Sequence, residues 1–204
     1  MFWADTLAHS AERGVERTPW RGLRQPSPIP ARHATGNVGD SHAVLYTTID
    51  SPIGELLLLG DECALHGLYM QDGLKPMRVV EGWQRDASPF AAVAAQLHEY
   101  FDGQRVAFDV PVQLHGTPFE RRVWHALRDI PYGETASYGE VARRIGRPTA
   151  ARAVGLANGR NPIAVIVPCH RVIGADGTLT GYGGGLERKR LLLELEQPSL
   201  RLVV

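Results

Sequence analysis

The sequence predicts an α/β protein of the α+β kind, a small antiparallel sheet with one packing helix followed by an all-helical half. Three observations carry this. Short apolar runs rich in strand-forming residues alternate with turn residues from Val44 to Met70. Two Thr/Ser-x-x-Glu signatures, Thr117 to Glu120 and Ser137 to Glu140, open helical patterns in the second half. The charge also changes sign: residues 41–116 hold 4 Lys/Arg against 10 Asp/Glu, and residues 117–197 hold 12 against 8.

In chain order, residues 1–42 contain Pro19, Pro26, Pro28, Pro30, Gly36 and Gly39 among others and no sustained apolar period, and are predicted to form a flexible extension. They lack the apolar stretch of a secretory signal, and Asp5, Glu12, Glu16 and Asp40 argue against a transit peptide. Val44–Ile49, Glu55–Leu59 and Ala64–Met70 then read as an antiparallel meander, with Asp50–Gly54 as its first turn. Residues 71–89 are polar and proline-containing and read as a loop. Phe90, Val93, Leu97 and Phe101 recur at helical spacing, which predicts a helix packed on the sheet.

Gly116 is the expected boundary between the halves. Thr117 as N-cap, Pro118 at the first helical position and Glu120 start a helix that presents Phe119, Val123, Leu127 and Ile130 on one face. Ser137 and Glu140 start a second, broken at Gly146-Arg-Pro148, and Thr149 is predicted to cap a third that runs to Asn158. Two short helices joined by a glycine-containing turn form a helix-turn-helix. Small residues, Ala150, Ala151, Ala153 and Gly155, stand where a major-groove reader carries long base-reading side chains. The long cation among them is Arg152. It is suited either to probing a base stack or to an ordinary ion pair. The last predicted helix, Leu186–Glu196, turns Leu192, Leu193 and Leu195 inward, with Glu187, Arg188, Lys189 and Arg190 as a solvated face. Residues 198–204 read as a tail.

Composition narrows the function classes. No apolar run approaches the ~20 residues of a membrane span. Two cysteines, Cys63 and Cys169, support neither a disulfide framework nor a four-cysteine zinc site, so no metal is expected and a reducing, cytoplasmic setting fits. The basic second half suits an anionic partner such as DNA, and on charge alone a solvated basic face explains it equally well.

The second half is organised around Asn161-Pro-Ile-Ala-Val-Ile-Val-Pro-Cys-His-Arg-Val172. Ile163–Val167, an apolar run rich in β-branched residues, reads as a buried extended segment stopped by Pro168, so that Cys169 sits where a rigid segment ends. A thiol acts as a nucleophile only as thiolate, which requires a base or a positive field, and His170 and Arg171 are adjacent. A lone Cys is more often a small buried hydrophobe. Downstream, the glycine-rich Thr180–Leu186 surrounds Tyr182 and could close on a flat ligand; it lacks the Gly-Lys-Ser/Thr ending of a phosphate loop.

Pro-Cys-His-Arg-Val, with Asn161-Pro162 before it and Thr180-Gly-Tyr-Gly-Gly-Gly-Leu186 after it, closely resembles the active-site signature of the O6-alkylguanine-DNA alkyltransferases, also called methylated-DNA-protein-cysteine methyltransferases. The resemblance runs from Tyr46 to Glu196. It implies a ribonuclease-H-like amino-terminal sheet domain (43–115) and a winged-helix-like carboxy-terminal domain (116–197) that binds double-stranded DNA containing alkylated guanine through the minor groove, as a monomer and without cofactor. It implies irreversible transfer of the alkyl group from O6-alkylguanine to Cys169, with O4-alkylthymine as a further candidate substrate. His170 resembles the base that activates the thiol through water, and Glu196, 27 positions after Cys169, the carboxylate that orients it. Tyr138 resembles the proton donor to the guanine, Asn161 the brace of the active-site turn and Arg152 an arginine finger set among Ala150, Ala151, Ala153 and Gly155. Val172, Tyr182, Gly183 and Lys189 resemble substrate-pocket residues. A non-catalytic DNA-lesion binder, which lacks the acceptor Cys, a helix-turn-helix regulator and a cysteine hydrolase are the competing classes.

Overall fold

The computed structural model describes residues 43–74 and 76–197; the predicted extension (1–42) and tail (198–204) lie outside the described residues. The first half is built on three antiparallel strands, β1 (Leu45–Ile49), β2 (Leu56–Gly60) and β3 (Leu65–Met70). A two-residue strand, β4 (Gln84–Arg85), pairs parallel with β1 inside the stretch expected to be loop, so the sheet order is β3-β2-β1-β4. Central β2 is buried on both faces, which is why it reads as an unbroken Leu run rather than an alternation. Helix α1 (Ala91–Phe101) buries Val93, Leu97, Tyr100 and Phe101, as its spacing predicts.

The edge strand β3 does not end the structure. Leu65 bridges Val112 on one stretch, and Leu68 bridges Ile163 on another, with Leu68 N–H donating to Pro162 O (2.8 Å) and Ala164 N–H to Leu68 O (3.1 Å). An edge strand's free backbone groups need partners. Here they are used to hold the segment that leads to Cys169, and one apolar core runs through both halves.

The second half follows its caps. Helices α2 (Pro118–Arg128) and α3 (Tyr138–Arg144) each begin with a complete capping box, Thr117/Glu120 and Ser137/Glu140. Each cap contributes about 1 kcal/mol. Helix α3 ends at a Schellman turn: Gly146 takes φ 70°, Gly146 N–H donates to Arg143 O and Arg147 N–H to Ala142 O. Helix α4 (Ala151–Asn158) completes the helix-turn-helix. Its N-cap is Ala150, without a side-chain bond, and not Thr149 as predicted; a turn bond from Ala150 N–H to Arg147 O (2.9 Å) delays the helix by one residue. The indole of Trp124 donates to Ala157 O (2.9 Å), tying α2 to α4. Helix α5 (Leu186–Glu196) buries Leu192, Leu193, Lys189 and Glu196, with Leu195 half-buried. The helical half also holds one short parallel pair, β5 (Ala136–Ser137) with β6 (Val172–Ile173).

Residues 163–167 differ from expectation. They form a compact buried turn rather than an extended segment, closed by Val167 N–H to Ile163 O (3.0 Å) and Ile166 N–H to Ala164 O (2.8 Å). A short apolar run cannot by periodicity distinguish a strand from other buried backbone. The cause is Asn161, whose Oδ1 accepts from Ile163 N–H (3.0 Å) while its Nδ2 donates to Val167 O (2.7 Å). The turn forces Val165 to φ 68°, a costly conformation for a β-branched residue that persists only where its surroundings impose it.

Candidate active site

Pro168 leads into a 3-10 turn, Cys169–Arg171, in which all three residues are buried. That turn sends both His170 and Arg171 to Glu196 on α5. The Glu196 carboxylate accepts from His170 Nε2 (2.8 Å), the Arg171 guanidinium (2.7 and 2.9 Å), the Tyr100 hydroxyl (2.7 Å) and Gly133 N–H (3.3 Å). Burial alone would raise its pKa; the bonds and charges of His170 and Arg171 more than offset this and hold it well below the usual carboxylate range.

An ionised Glu196 fixes the tautomer of His170. Nε2 carries the hydrogen given to the carboxylate, so Nδ1 is a bare acceptor, and it is buried without a partner. Burial pushes the imidazole pKa down, and Glu196 only partly restores it, so His170 is neutral at neutral pH. Burial likewise pushes the Cys169 thiol up, against the pull of the Asn161 amide and the Lys189 charge. The resting pair is therefore thiol plus neutral imidazole.

Around the thiol's outer side, Tyr138 opens α3 and is brought there by the β5–β6 pair, in which Ser137 lies opposite Ile173. Its hydroxyl receives the Thr180 hydroxyl (3.0 Å), which leaves its own hydrogen free; burial raises its pKa, so it is a neutral phenol. Lys189 is fully buried, not on the solvated face predicted for it. Its Nζ donates to Val172 O (2.6 Å) and Thr180 O (2.9 Å), and burial lowers its pKa to about 8. Tyr182 is buried with a hydroxyl that completes no well-formed hydrogen bond, although it lies close enough to Cys169 for each to perturb the other. Gly184 lets this loop pack, since a Cβ there would lie 2.2 Å from the Met70 sulfur. A pocket opens over Cys169 between the two halves, with Met70, Pro76 and Met77 on one side and Asn158, Asn161, Ala164 and Gly181–Gly184 on the other.

The structure thus brings Cys169, His170, Glu196, Tyr138, Asn161, Tyr182, Gly183, Lys189 and the Val172 carbonyl into one neighbourhood. Arg152 and Ala153 stand exposed on α4, Ala150 and Ala151 are half-buried, and Gly155 faces the Tyr138 ring instead, 3.6 Å from where its Cβ would be. Sequence reasoning missed three participants. Tyr100 and the bidentate use of Arg171 have no local signal, because both depend on where Glu196 lands. Asn158, which donates to Cys169 O (3.2 Å), reads in the sequence only as the end of a helix. Among the described residues no group of three or more His, Cys, Asp or Glu could hold a metal ion, and no helix is long and apolar enough to cross a membrane.

A buried cysteine supported by a His–carboxylate pair, inside a helix-turn-helix half that is joined to a small sheet, defines a two-part cysteine-nucleophile protein. The family model for the ribonuclease-like domain of 6-O-methylguanine DNA methyltransferase matches residues 44–114, and that for its DNA binding domain matches residues 118–198. Methylated-DNA–protein-cysteine methyltransferases of Mycobacterium tuberculosis and Methanosarcina acetivorans are 59% and 52% identical over 153 and 151 residues, 74% of this chain in each case and 92% and 97% of theirs. The crystal structure of Mycobacterium tuberculosis OGT in complex with DNA superposes with TM-score 0.72 at 57% identity, covering 76% of this chain and 94% of that one. The chain belongs to the methylated-DNA–protein-cysteine methyltransferase family.

Proposed function

We propose that this protein repairs DNA by direct reversal, moving the alkyl group of O6-alkylguanine onto the sulfur of Cys169. The observation that carries the mechanism is the buried His170, next in sequence to Cys169, with Nε2–H pinned on Glu196 and Nδ1 left bare. Through a bridging water Nδ1 takes the thiol proton, and Glu196 stabilises the imidazolium that results. The thiolate attacks the alkyl carbon, the S–C bond forms and the C–O6 bond breaks. The electron pair left on the guanine is neutralised by a proton from the side of Tyr138, whose hydrogen is free because Thr180 bonds its oxygen.

O6 lies inside the duplex, so the base must be extruded, at an unstacking cost of a few kcal/mol. The small residues of α4 allow a close approach to the minor groove, and exposed Arg152 fills the vacated stack. Asn161 holds the strained turn that presents the thiol. Lys189, Val172, Tyr182 and Gly183 shape the pocket and its field. The thioether is stable and nothing in the site reverses it, so each molecule acts once. The protein works as a monomer in the cytoplasm.

The test is intact mass after exposure to excess O6-methylguanine DNA. One alkyl group per molecule, on Cys169, is expected. Sustained multiple turnover, or label elsewhere, refutes the reading.

A further inference from the structure

Arg188 does not lie on a solvated face of α5. Its side chain is half-buried and joins two segments 135 positions apart: Nε donates to Ile53 O (2.5 Å), in the turn between β1 and β2, and Nη1 to Gly184 O (2.9 Å). Gly54, at φ 97°, leaves the room for this, since a Cβ there would lie 3.4 Å from Arg188 Nη2 and 2.5 Å from Asp72 Oδ2. What Arg188 holds at its other end is the triplet Gly183–Gly185, of which Gly183 and Gly184 line the pocket over Cys169. Three glycines have no side chains to pack and the most chain entropy to lose, so their conformation has to be imposed from outside. Backbone amides bind the flanking carbonyls, Leu74 N–H at Gly183 O (3.2 Å) and Lys189 N–H at Gly185 O (3.3 Å). Gly184 O is left to Arg188, which among the described residues makes the side-chain hydrogen bond to the triplet. The sheet half thus grips the loop through a guanidinium whose rigid fork suits two fixed carbonyls at once.

We infer that Arg188 is a positioning residue that straps the Gly183–Gly185 loop to the Ile53 turn, so that the sheet half holds the pocket preformed before substrate enters. The inference rests on the proposed function and deepens it. Arg188 touches neither the substrate nor the reacting atoms. Without it the loop samples many conformations, and each substrate that binds must first order three glycines. The cost falls on substrate capture, while the bond-making step at Cys169, served by His170 and Glu196, is left as it was.

The experiment follows alkylation of Cys169 by free O6-benzylguanine, by intact mass and over a range of reagent concentrations. Wild type is compared with Arg188→Met, which keeps the stem and loses the donors, and Arg188→Lys, which restores one donor group. Arg188→Met should need about tenfold more reagent for half its limiting rate, the effect of one hydrogen bond from a charged donor partly open to water, with the limiting rate within a few-fold of wild type. Arg188→Lys should recover part of that loss. Iodoacetamide, which needs no ordered loop, should modify Cys169 at one rate in all three proteins. An unchanged half-saturating concentration in a variant that merely unfolds more easily overturns the inference, and so does a loss confined to the limiting rate. If Arg188→Met does not fold, amide exchange in the wild-type protein decides. The Gly185 amide, bonded to Tyr182 O (3.0 Å), should open together with the Gly54 amide, bonded to Ser51 O (3.0 Å), and independent opening of the two overturns the strap. Wild-type protein that is not alkylated by O6-benzylguanine at all refutes the transferase reading itself, whatever the exchange shows.

Discussion

The two sides of Cys169 are built on opposite principles. On the inner side every acceptor is used: the Glu196 carboxylate takes hydrogen bonds from His170, Arg171, Tyr100 and Gly133, and Arg171 also donates to Ile130 O (2.6 Å) while its guanidinium lies 5.8 Å from the Tyr132 ring centre. On the outer side Asn158 Oδ1 and His170 Nδ1 are buried with no partner, and the buried Tyr182 hydroxyl has the Cys169 thiol as its neighbour without a well-formed bond. Buried polar networks rigidify when complete and are costly when not. The inner side therefore holds the base in one orientation, and the outer side keeps its unmet capacity for water and substrate.

The largest test of that contrast is Cys169→Ala, which should abolish transfer while duplex binding in a gel-shift assay survives, because the thiol serves chemistry and not the fold. Glu196→Gln should damage both. It leaves Arg171 buried without its counter-charge, so an urea-unfolding loss of about 3–5 kcal/mol is expected together with slow transfer. Retention of stability would show that the inner side is not a network. Because the folded Glu196 pKa is depressed, its contribution is present above the unfolded carboxylate range near ~4.3 and is lost as pH falls through the folded value. His170, neutral when folded, adds to this: stability should begin to decline as pH drops below ~6.5, where the unfolded imidazole takes a proton first.

On the outer side, Arg152→Ala should slow transfer from duplex DNA by roughly tenfold or more with little change on free O6-benzylguanine, and exposed as it is, should alter stability by less than about 0.5 kcal/mol. Equal losses on both substrates would take Arg152 out of base extrusion. Tyr100→Phe is the smallest change. It removes one of several donors to Glu196 and keeps the ring among Phe101, Phe108 and Tyr132, so about 1–2 kcal/mol of stability should be lost in thermal unfolding, with transfer within a few-fold of wild type. A loss as large as that of Glu196→Gln would mean that the sheet half controls the chemistry.

Much of this was legible in order along the chain. The capping boxes at Thr117 and Ser137, the break at Gly146, the Leu-rich strand, the helix from Ala91 and the Cys169 motif are all set by neighbours within a few residues, where dihedral preference and local hydrogen bonding act. Tertiary structure decided the rest. Tyr100 reaches Glu196 across 96 positions, the Gly133 amide across 63, and Arg171 across 25. Whether Lys189 lies in water or inside, whether Ile163–Val167 extends or coils around Asn161, and that Asn158 Oδ1 is left bare all depend on what packs against them. Local sequence encodes backbone preference and the order of donors and acceptors; which of those groups meet, and which remain unmatched at the pocket, is settled only when distant segments close into one core.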